Sequence, residues 1–513
     1  MAELSSRMQR PASAILPKIA ATIAERTGTT RKIDLATAEN WLIRPELVEI
    51  YKDAIEKSLT TADLSYPDGF GGDPRLQEAL ATFFNKYFHP VSLVKPQDIV
   101  VAPGASNCLD SLLFSLCEAG DSVLVLAPYW NGFDFHFVLR PNVNIIPVYT
   151  ESAALLDRPS DLLSESLVPA LASALESCDD KSRVKAFAMT NPHNPMARCY
   201  PEHVLREAIH WCAEQGLHYV SDEVYALSDF SNTATSANGT GVDHEVTPAA
   251  GTGTEPNGAS TNGSRLYPET RFVSALSLKL DADKTPPISI IWSTSKDLGS
   301  SGLRMGVHVL RARRSLPEGN GHSGEDGPAE SGASASLLST SLGLLSTPQL
   351  PTISMLLTRS LLTSGSFDAL VVKNRQRLRE NHDLITRRLQ EWSVPFIPAT
   401  SGPYLLVHLG VGVGDLQRQV RKNDLFADSG KGEQDAAAKR QKAAVAEASN
   451  VVDVLRHKAM VLVSPGKAFH MRGVGADSNT LDGWVRITFA VPTDVLEDGL
   501  SRIGEALGLE GSK

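Results

Sequence analysis

Four short stretches carry residue types that could do chemistry together. In Ser293-Thr-Ser-Lys296-Asp-Leu-Gly-Ser-Ser-Gly-Leu-Arg304 a lysine follows an apolar, strand-like run and lies among small hydroxyl residues. Desolvated, such an amine is a nucleophile and a base; by itself, a loop lysine is as readily a solvated charge. Tyr219-Val-Ser-Asp222-Glu-Val-Tyr225 places a carboxylate and a phenol three residues apart beyond another strand-like run, where both could face one pocket. The plainer alternatives are a helix N-cap for Asp222 and an ordinary half-buried tyrosine. Asn191-Pro-His-Asn194-Pro joins two stiffening prolines to two side-chain amides, and also reads as a simple turn. Pro103-Gly-Ala-Ser106-Asn107 is a strand-to-helix junction whose free N–H groups and hydroxyl suit a phosphate.

A fifth candidate stands far downstream. Arg486, in Gly483-Trp-Val-Arg-Ile-Thr-Phe489, is flanked by Trp484, Val485, Ile487 and Phe489. A strand arginine is more often a surface charge, and these apolar neighbours argue that this one is not.

The elements that must position these groups alternate short β-branched runs with helical patterns from about residue 98, the rhythm of βαβ units around a largely parallel sheet. Strands are predicted over 98–102, 122–126, 144–148, 185–190 and 218–222, with 288–293 and 304–310 closing the domain. Ligands in such sheets collect beyond the carboxyl ends of the strands, where these candidates fall. After residue 352 a long helical pattern over 369–392 and strand-like runs at 404–409, 461–463 and 484–489 predict a second, α+β domain. The expected division is an N-terminal segment, 1–65, packing on the small domain; a large domain, 66–350; and a small domain, 351–513. Residues 231–264, 316–336 and 411–450 are rich in small, polar or charged residues and are expected to be insertions without chemistry.

Bulk properties narrow the partners. A chain of 513 residues exceeds one ordinary domain, and 42% hydrophobic content is ample for two cores. A net charge of −10 argues against nucleic acid as a partner. No run of apolar residues is long enough for a membrane span or an export signal. Five cysteines without CxxC spacing suggest reduced thiols rather than a zinc site or disulfide framework, so a soluble, cytoplasmic protein is expected. The lack of G-x-G-x-x-G after a first strand argues against a plain dinucleotide binder.

In this order the pieces resemble the fold type I pyridoxal 5'-phosphate (PLP) enzymes, the class I and II aminotransferase family, from about residue 33 to 489. The phrasing is most similar to the aminocyclopropane-carboxylate synthase-like branch in Ala38-Glu39-Asn40-Trp41-Leu42, Pro128-Tyr-Trp-Asn-Gly-Phe-Asp134, Ser221-Asp-Glu-Val-Tyr225 and Ser293-Thr-Ser-Lys-Asp-Leu-Gly299. The resemblance implies an α/β fold with a mostly parallel seven-stranded sheet and a smaller α+β domain. It implies that Lys296 carries PLP covalently and later removes the substrate's α-proton, and that Asp222 pairs with the ring nitrogen. Tyr225 and Asn194 would bond the ring's 3-oxygen and Trp130 would stack on the ring. Ala105, Ser106, Asn107, Ser293 and Arg304 would take the phosphate, and Arg486 the α-carboxylate of an amino-acid substrate.

Two departures stand out: Ala197 replaces the glycine usual in NPxNPxG, and the tyrosine that reaches a neighbouring subunit's phosphate is matched by Tyr66, the alternative alignment placing Phe70 there. A homodimer is implied. Ala38 and Glu39 would lie beside the substrate as in the synthases, so the expected reaction is a synthase-like loss of a γ-substituent from S-adenosylmethionine or a related amino acid. Transamination to a 2-oxo acid is the alternative, and a non-catalytic scaffold the remaining one.

Overall fold

The computed structural model describes residues 32–66, 69–150, 166–231, 270–281, 285–311, 330–410, 451–471 and 483–509, with a few residues before position 14. The first strand, β1 (Ile33–Asp34), is followed by helix α1 (Arg44–Ser58) and helix α2 (Pro74–Tyr87). Asp73 caps α2 by accepting the amide of Arg75, and Pro74 occupies its first turn, where a missing N–H costs nothing.

Seven strands build the central sheet: β2 (Ile99–Ala102), β3 (Ser122–Leu126), β4 (Asn144–Val148), β5 (Val184–Thr190), β6 (His218–Asp222), β7 (Ile288–Ser293) and β8 (Gly306–Arg311). Their order is β2-β8-β7-β6-β5-β3-β4. Strands β3 to β7 run parallel, and β8 is antiparallel to both its neighbours. Strands β3, β5, β6 and β7 are almost wholly buried and rich in apolar residues, as in a parallel sheet covered on both faces. Leu124, Phe187, Tyr219 and Ile290 enter one core, while Val123, Ala186, Val220 and Ile291 enter the opposite one, the two-residue alternation of a strand.

The small domain packs around the four-stranded antiparallel order β12-β13-β10-β9, made from β9 (Phe396–Ile397), β10 (Tyr404–His408), β12 (Ser464–Pro465) and β13 (Trp484–Thr488). Strand β11 (Val461–Leu462) leaves that sheet and pairs in parallel with β1. A 25-residue helix, Phe367–Glu391, buries Val371, Asn374, Leu378, Ile385 and Leu389 along one stripe and leaves its charged residues outside.

Most predicted strands agree with the observed ones within two residues, and the differences have local causes. Arg304 is not in a strand: it adopts a left-handed conformation (φ 54°, ψ 43°) that ends a short 3-10 turn two residues before β8 begins. The N-terminal segment does not pack on the small domain alone. Strand β1 does, but α1 bridges the two units: Glu46 pairs with Arg377 and Lys373, while Tyr51 bonds Ser300 at 2.8 Å and Ala54 packs on Leu356 and Leu357. The expected insertion over 316–336 ends early, because a helix begins at Glu330 and runs to Ser346. Its remainder, with 232–264 and 411–450, lies outside the described residues. Among the described residues no single helix is long and apolar enough to cross a membrane.

Candidate active site

The carboxyl ends of β5, β6 and β7 deliver Thr190, Asp222 and Ser293 to one edge of the sheet. Thr190 and Asp222 are register partners, and the threonine hydroxyl lies 3.4 Å from Asp222 Oδ2. With the start of the helix Ala105–Leu116 they enclose a cavity of about 140 Å³ also lined by Tyr225, Asn194, Lys296 and Arg304. A wider cavity of about 680 Å³ shares Trp130, Tyr225 and Lys296 with it and reaches Ala38, His470 and Arg486. A larger groove, about 840 Å³, runs past Ser122 and Arg183. Four buried groups with displaced ionisation, Lys296, Asp222, Tyr225 and Arg486, line the two former cavities instead.

Lys296 is held in a short helical turn after β7 whose N-cap is Ser293. The next residue anchors that turn: Asp297 is buried and accepts Ser228 Oγ at 2.6 Å, Leu227 N at 3.0 Å and Trp292 Nε1 at 3.0 Å. Its carbonyl oxygen receives the side-chain amides of Asn40 and Asn374, both at 3.3 Å. Lys296 Nζ donates to the Ala38 carbonyl at 2.7 Å. Burial, helped by the positive charge of Arg486, lowers the amine to about 8, while Glu39 and Asp222 oppose the shift. An amine so displaced carries a usable neutral fraction near pH 8, where an ordinary lysine is almost wholly protonated, and a base or nucleophile needs that neutral form.

Asp222 is the last residue of β6, not a helix cap. Desolvation lifts its carboxyl to about 7, only partly offset by the Val224 amide and Thr190. Its Oδ1 is buried and has no hydrogen-bond partner among the described residues. A buried carboxylate oxygen facing a cavity calls for a cationic N–H donor, and a protonated pyridine nitrogen is one.

The other end of the small cavity suits a phosphate. Gly104, at φ 91°, turns the chain into the helix Ala105–Leu116, whose first amides point outward. Arg304 lies so close that a Cβ on Gly104 would sit 2.5 Å from its Nη2, so a side chain there would push the guanidinium away from this turn. Ser106, Ser293 and Ser301 add hydroxyls to the lining. Asn107 does not join them: its amide donates to Gly104 O at 3.0 Å and its side chain accepts from Ser111.

Trp130 lines both cavities, and its indole covers Gly132 so closely that any side chain there would collide with it. Asn194 Nδ2 is 3.5 Å from the Tyr225 hydroxyl, placing the two expected ligands of the ring oxygen side by side. Burial pushes Tyr225 up to about 12, so the phenol stays protonated as a donor.

Arg486 is centred in β13 and almost wholly buried. Nη1 donates to Asn194 Oδ1 and Nη2 to Ala36 O, each at 2.9 Å. Its guanidinium carbon lies 4.6 Å from the Tyr404 ring centroid and 4.7 Å from that of Phe469. A delocalised cation held between two aromatic faces tolerates this burial, and its Nε is left without a partner among the described residues.

Besides Asn107, two expected site residues lie elsewhere. Tyr66 is 97% exposed and lines neither cavity of its own chain. Glu39 also lines neither cavity. It is committed to Ser301 Oγ, to Arg44 at 2.9 Å and to Trp41 at 3.1 Å, and although burial raises its pKa these bonds together bring it to about 2. Ala38 does line the wider cavity, contributing its carbonyl to Lys296. Ala197 has φ 55°, the left-handed backbone that explains why glycine is usual there. Sequence reading missed Thr190, Ser301, Tyr404 and Phe469. Thr190 shared the strand-end signal of Asp222; Tyr404 and Phe469 carried none, because only folding brings them to Arg486.

This layout, a lysine after the seventh strand, a buried carboxylate lining the same cavity and a phosphate cradle at a helix start, is that of a fold type I PLP enzyme. Residues 30–503 match the family model described as aminotransferase class I and II. The chain is 34% identical over 510 residues to the probable aminotransferase aclI of Aspergillus oryzae, covering 99% of this chain and 98% of that protein. It is 30% identical to the probable aminotransferase gliI of Aspergillus fumigatus, over 94% and 91% of the two chains. A mouse protein named probable inactive 1-aminocyclopropane-1-carboxylate synthase-like protein 2 is 27% identical over 78% of this chain and 60% of its own. In fold it resembles an aspartate aminotransferase double mutant of Thermus thermophilus, with a TM-score of 0.64 at 20% identity over 99% of this chain and all of that one. The chain belongs to the class I and II aminotransferase family and is a PLP-dependent enzyme.

Proposed function

We propose that this enzyme is an aminotransferase, moving an amino group between an amino acid and a 2-oxo acid, and not a synthase-like lyase. The bound cofactor supplies an electron-accepting ring conjugated to the substrate's α-carbon. Lys296 would hold that cofactor covalently and take the α-proton on Nζ, and Asp222 would keep the ring nitrogen protonated. Asn194 and Tyr225 would bond the ring oxygen, the start of the helix Ala105–Leu116 and Arg304 would hold the phosphate, and Arg486 would fix the substrate's α-carboxylate.

The observation that carries the choice of reaction is Glu39. The synthase-like expectation relied on its carboxylate lying beside the substrate, and Ser301, Arg44 and Trp41 already engage it. The full-length relatives named aminotransferases support the same reading. The test is a half-reaction with each protein amino acid and no acceptor. Transamination forms one equivalent of 2-oxo acid per enzyme without free ammonia. Methylthioadenosine released from S-adenosylmethionine, or multiple turnovers yielding ammonia, would replace this reading with a lyase.

A homodimer completes the proposal. Leu64, Tyr66 and Phe70 are 81%, 97% and 59% exposed on one short segment, an apolar edge suited to a second copy, with Tyr66 reaching that copy's phosphate. All five cysteines are free thiols, which supports a cytosolic setting.

A further inference from the structure

The wider cavity is walled on one side by the large domain and on the other by the small domain, and one cross-connection joins them at its mouth. After β3, Tyr129 and Asp134 meet the turn Gly466–Phe469 and the residue that caps it, His470, which follow β12. His470 Nε2 lies 2.8 Å from Asp134 Oδ2, and the Tyr129 hydroxyl donates to Asp134 Oδ1 at 3.2 Å. The imidazole stacks on the Tyr129 ring, with centroids 4.3 Å apart and planes 15° from parallel. Tyr129 N donates to Phe469 O at 2.9 Å. His470 adopts φ 56°, a left-handed conformation that non-glycine residues hold only when their surroundings compensate for it.

The turn's function follows from its other neighbour. Phe469 immediately precedes His470 and covers one face of the Arg486 guanidinium. Whatever fixes His470 therefore fixes the aromatic plate that holds the carboxylate clamp.

We infer that His470 and Asp134 are a positioning pair, an interdomain clasp that seats Phe469 on Arg486 and thereby sets the affinity for the substrate's α-carboxylate. Neither residue takes part in breaking the α C–H bond. The inference rests on Arg486 being the carboxylate clamp, and it holds for transamination and side-chain elimination alike, because both begin with loss of the α-proton.

The test uses the holoenzyme and the variants His470→Asn, which keeps a residue tolerant of left-handed backbone, and Asp134→Asn, which keeps the volume and removes the charge. L-alanine, L-glutamate and L-methionine are supplied separately in D2O and α-proton exchange is followed. Each variant should raise the half-saturating concentration about tenfold while the maximal exchange rate stays within about twofold, the signature of lost ground-state binding. The double variant should be no worse than the poorer single one, because one interaction is being removed twice. Hydrogen exchange of the Tyr129 amide should quicken in both variants, a readout independent of any substrate. Circular dichroism and cofactor absorbance check that the fold persists. Unchanged half-saturation, multiplying effects, or a fallen maximal rate at constant half-saturation would each overturn the clasp, the last by making His470 a proton-transfer group. If none of the three amino acids exchanges, an unaltered Tyr129 amide overturns it. Arg486→Ala, run in parallel, separates the two failures: should it leave half-saturation unchanged, the clamp itself is misassigned.

Discussion

Arg486 and Asn194 are 292 residues apart in the chain, and their side chains meet in a 2.9 Å hydrogen bond between Nη1 and Oδ1. Through it the residue that would hold the substrate's carboxylate is tied to the residue that would hold the cofactor's ring oxygen. Asn194 in turn adjoins Tyr225, so substrate recognition and cofactor geometry share one small network. Arg486 is also the pivot of that network, since Ala36 of the N-terminal segment accepts its second nitrogen.

Replacing Arg486 by alanine should therefore act on binding more than on the fate of bound substrate. Removing one partner of a buried, hydrogen-bonded charge pair costs about 2–5 kcal/mol. The half-saturating amino-acid concentration should rise by at least about 30-fold, the equivalent of the lower bound. Steady-state kinetics at several substrate concentrations measures it, and Arg486→Lys should recover only part, because an ammonium cannot form the two parallel bonds.

Lys296→Ala removes both the cofactor's covalent anchor and the base. The purified wild-type protein should show a visible absorbance band that borohydride reduction abolishes, and the variant should lack it. Deuterium exchange at the substrate's α-carbon should fall by about 10²–10⁴, the usual contribution of a positioned base. A variant that exchanges at the normal rate would move the base elsewhere.

Asp222→Asn keeps the shape and removes the charge beneath the ring nitrogen. A hydrogen bond to a charged group is worth about 1.5–3 kcal/mol, so the dissociation constant for PLP should rise about 10–100-fold. Fluorescence titration of the cofactor-free protein gives that constant directly.

The same carboxylate predicts a pH dependence. Asp222 is raised from 3.8 to about 7, Glu223 from 4.5 to about 7 and Asp297 from 3.8 to about 6, each mainly by burial. Across these windows the folded chain binds protons that the unfolded chain has released, so stability is greatest below about pH 4 as far as these groups are concerned and is lost as pH rises toward 7. Buried His193, His218 and His308 are lowered to about 3, 4 and 3 by desolvation and oppose this slope below about pH 6.5, because there the unfolded chain holds protons that the folded chain has lost. The sign is therefore read from a difference: the thermal midpoint of cofactor-free Asp222→Asn relative to wild type should rise between about pH 5 and about pH 7.5. A difference that falls over that range would contradict the burial of Asp222.

Asp297→Ala should be the most destabilising single change near the site. It leaves the amide of Leu227, the hydroxyl of Ser228 and the indole N–H of Trp292 without their acceptor. At about 1–3 kcal/mol for each buried unsatisfied donor, a loss of about 3 kcal/mol or more is expected in chemical denaturation. A loss below about 1 kcal/mol would mean that other acceptors replace it.

Much of this protein was legible before any coordinates. The strands 122–126, 144–148, 218–222 and 288–293 fall where the sequence places them, because short runs rich in apolar and β-branched residues between helical patterns mark the strands of a βαβ sheet. Lys296, Asp222, Asn194 and Ser106 could be picked out because each follows such a run, at the carboxyl edge of a parallel sheet. What a run of residues cannot encode locally is which partner a side chain will find. Glu39 looked available for substrate and is held by Ser301 and Arg44; Asn107 looked like a phosphate ligand and is used within its own helical turn. Phe469 and His470 gave no signal, and Asp134 and Tyr404 stood only at the end of a family-like phrase and the start of a predicted strand, since their roles exist only where distant segments meet. Those assignments depend on contacts across hundreds of residues, made by packing two cores together rather than by any local preference of the chain.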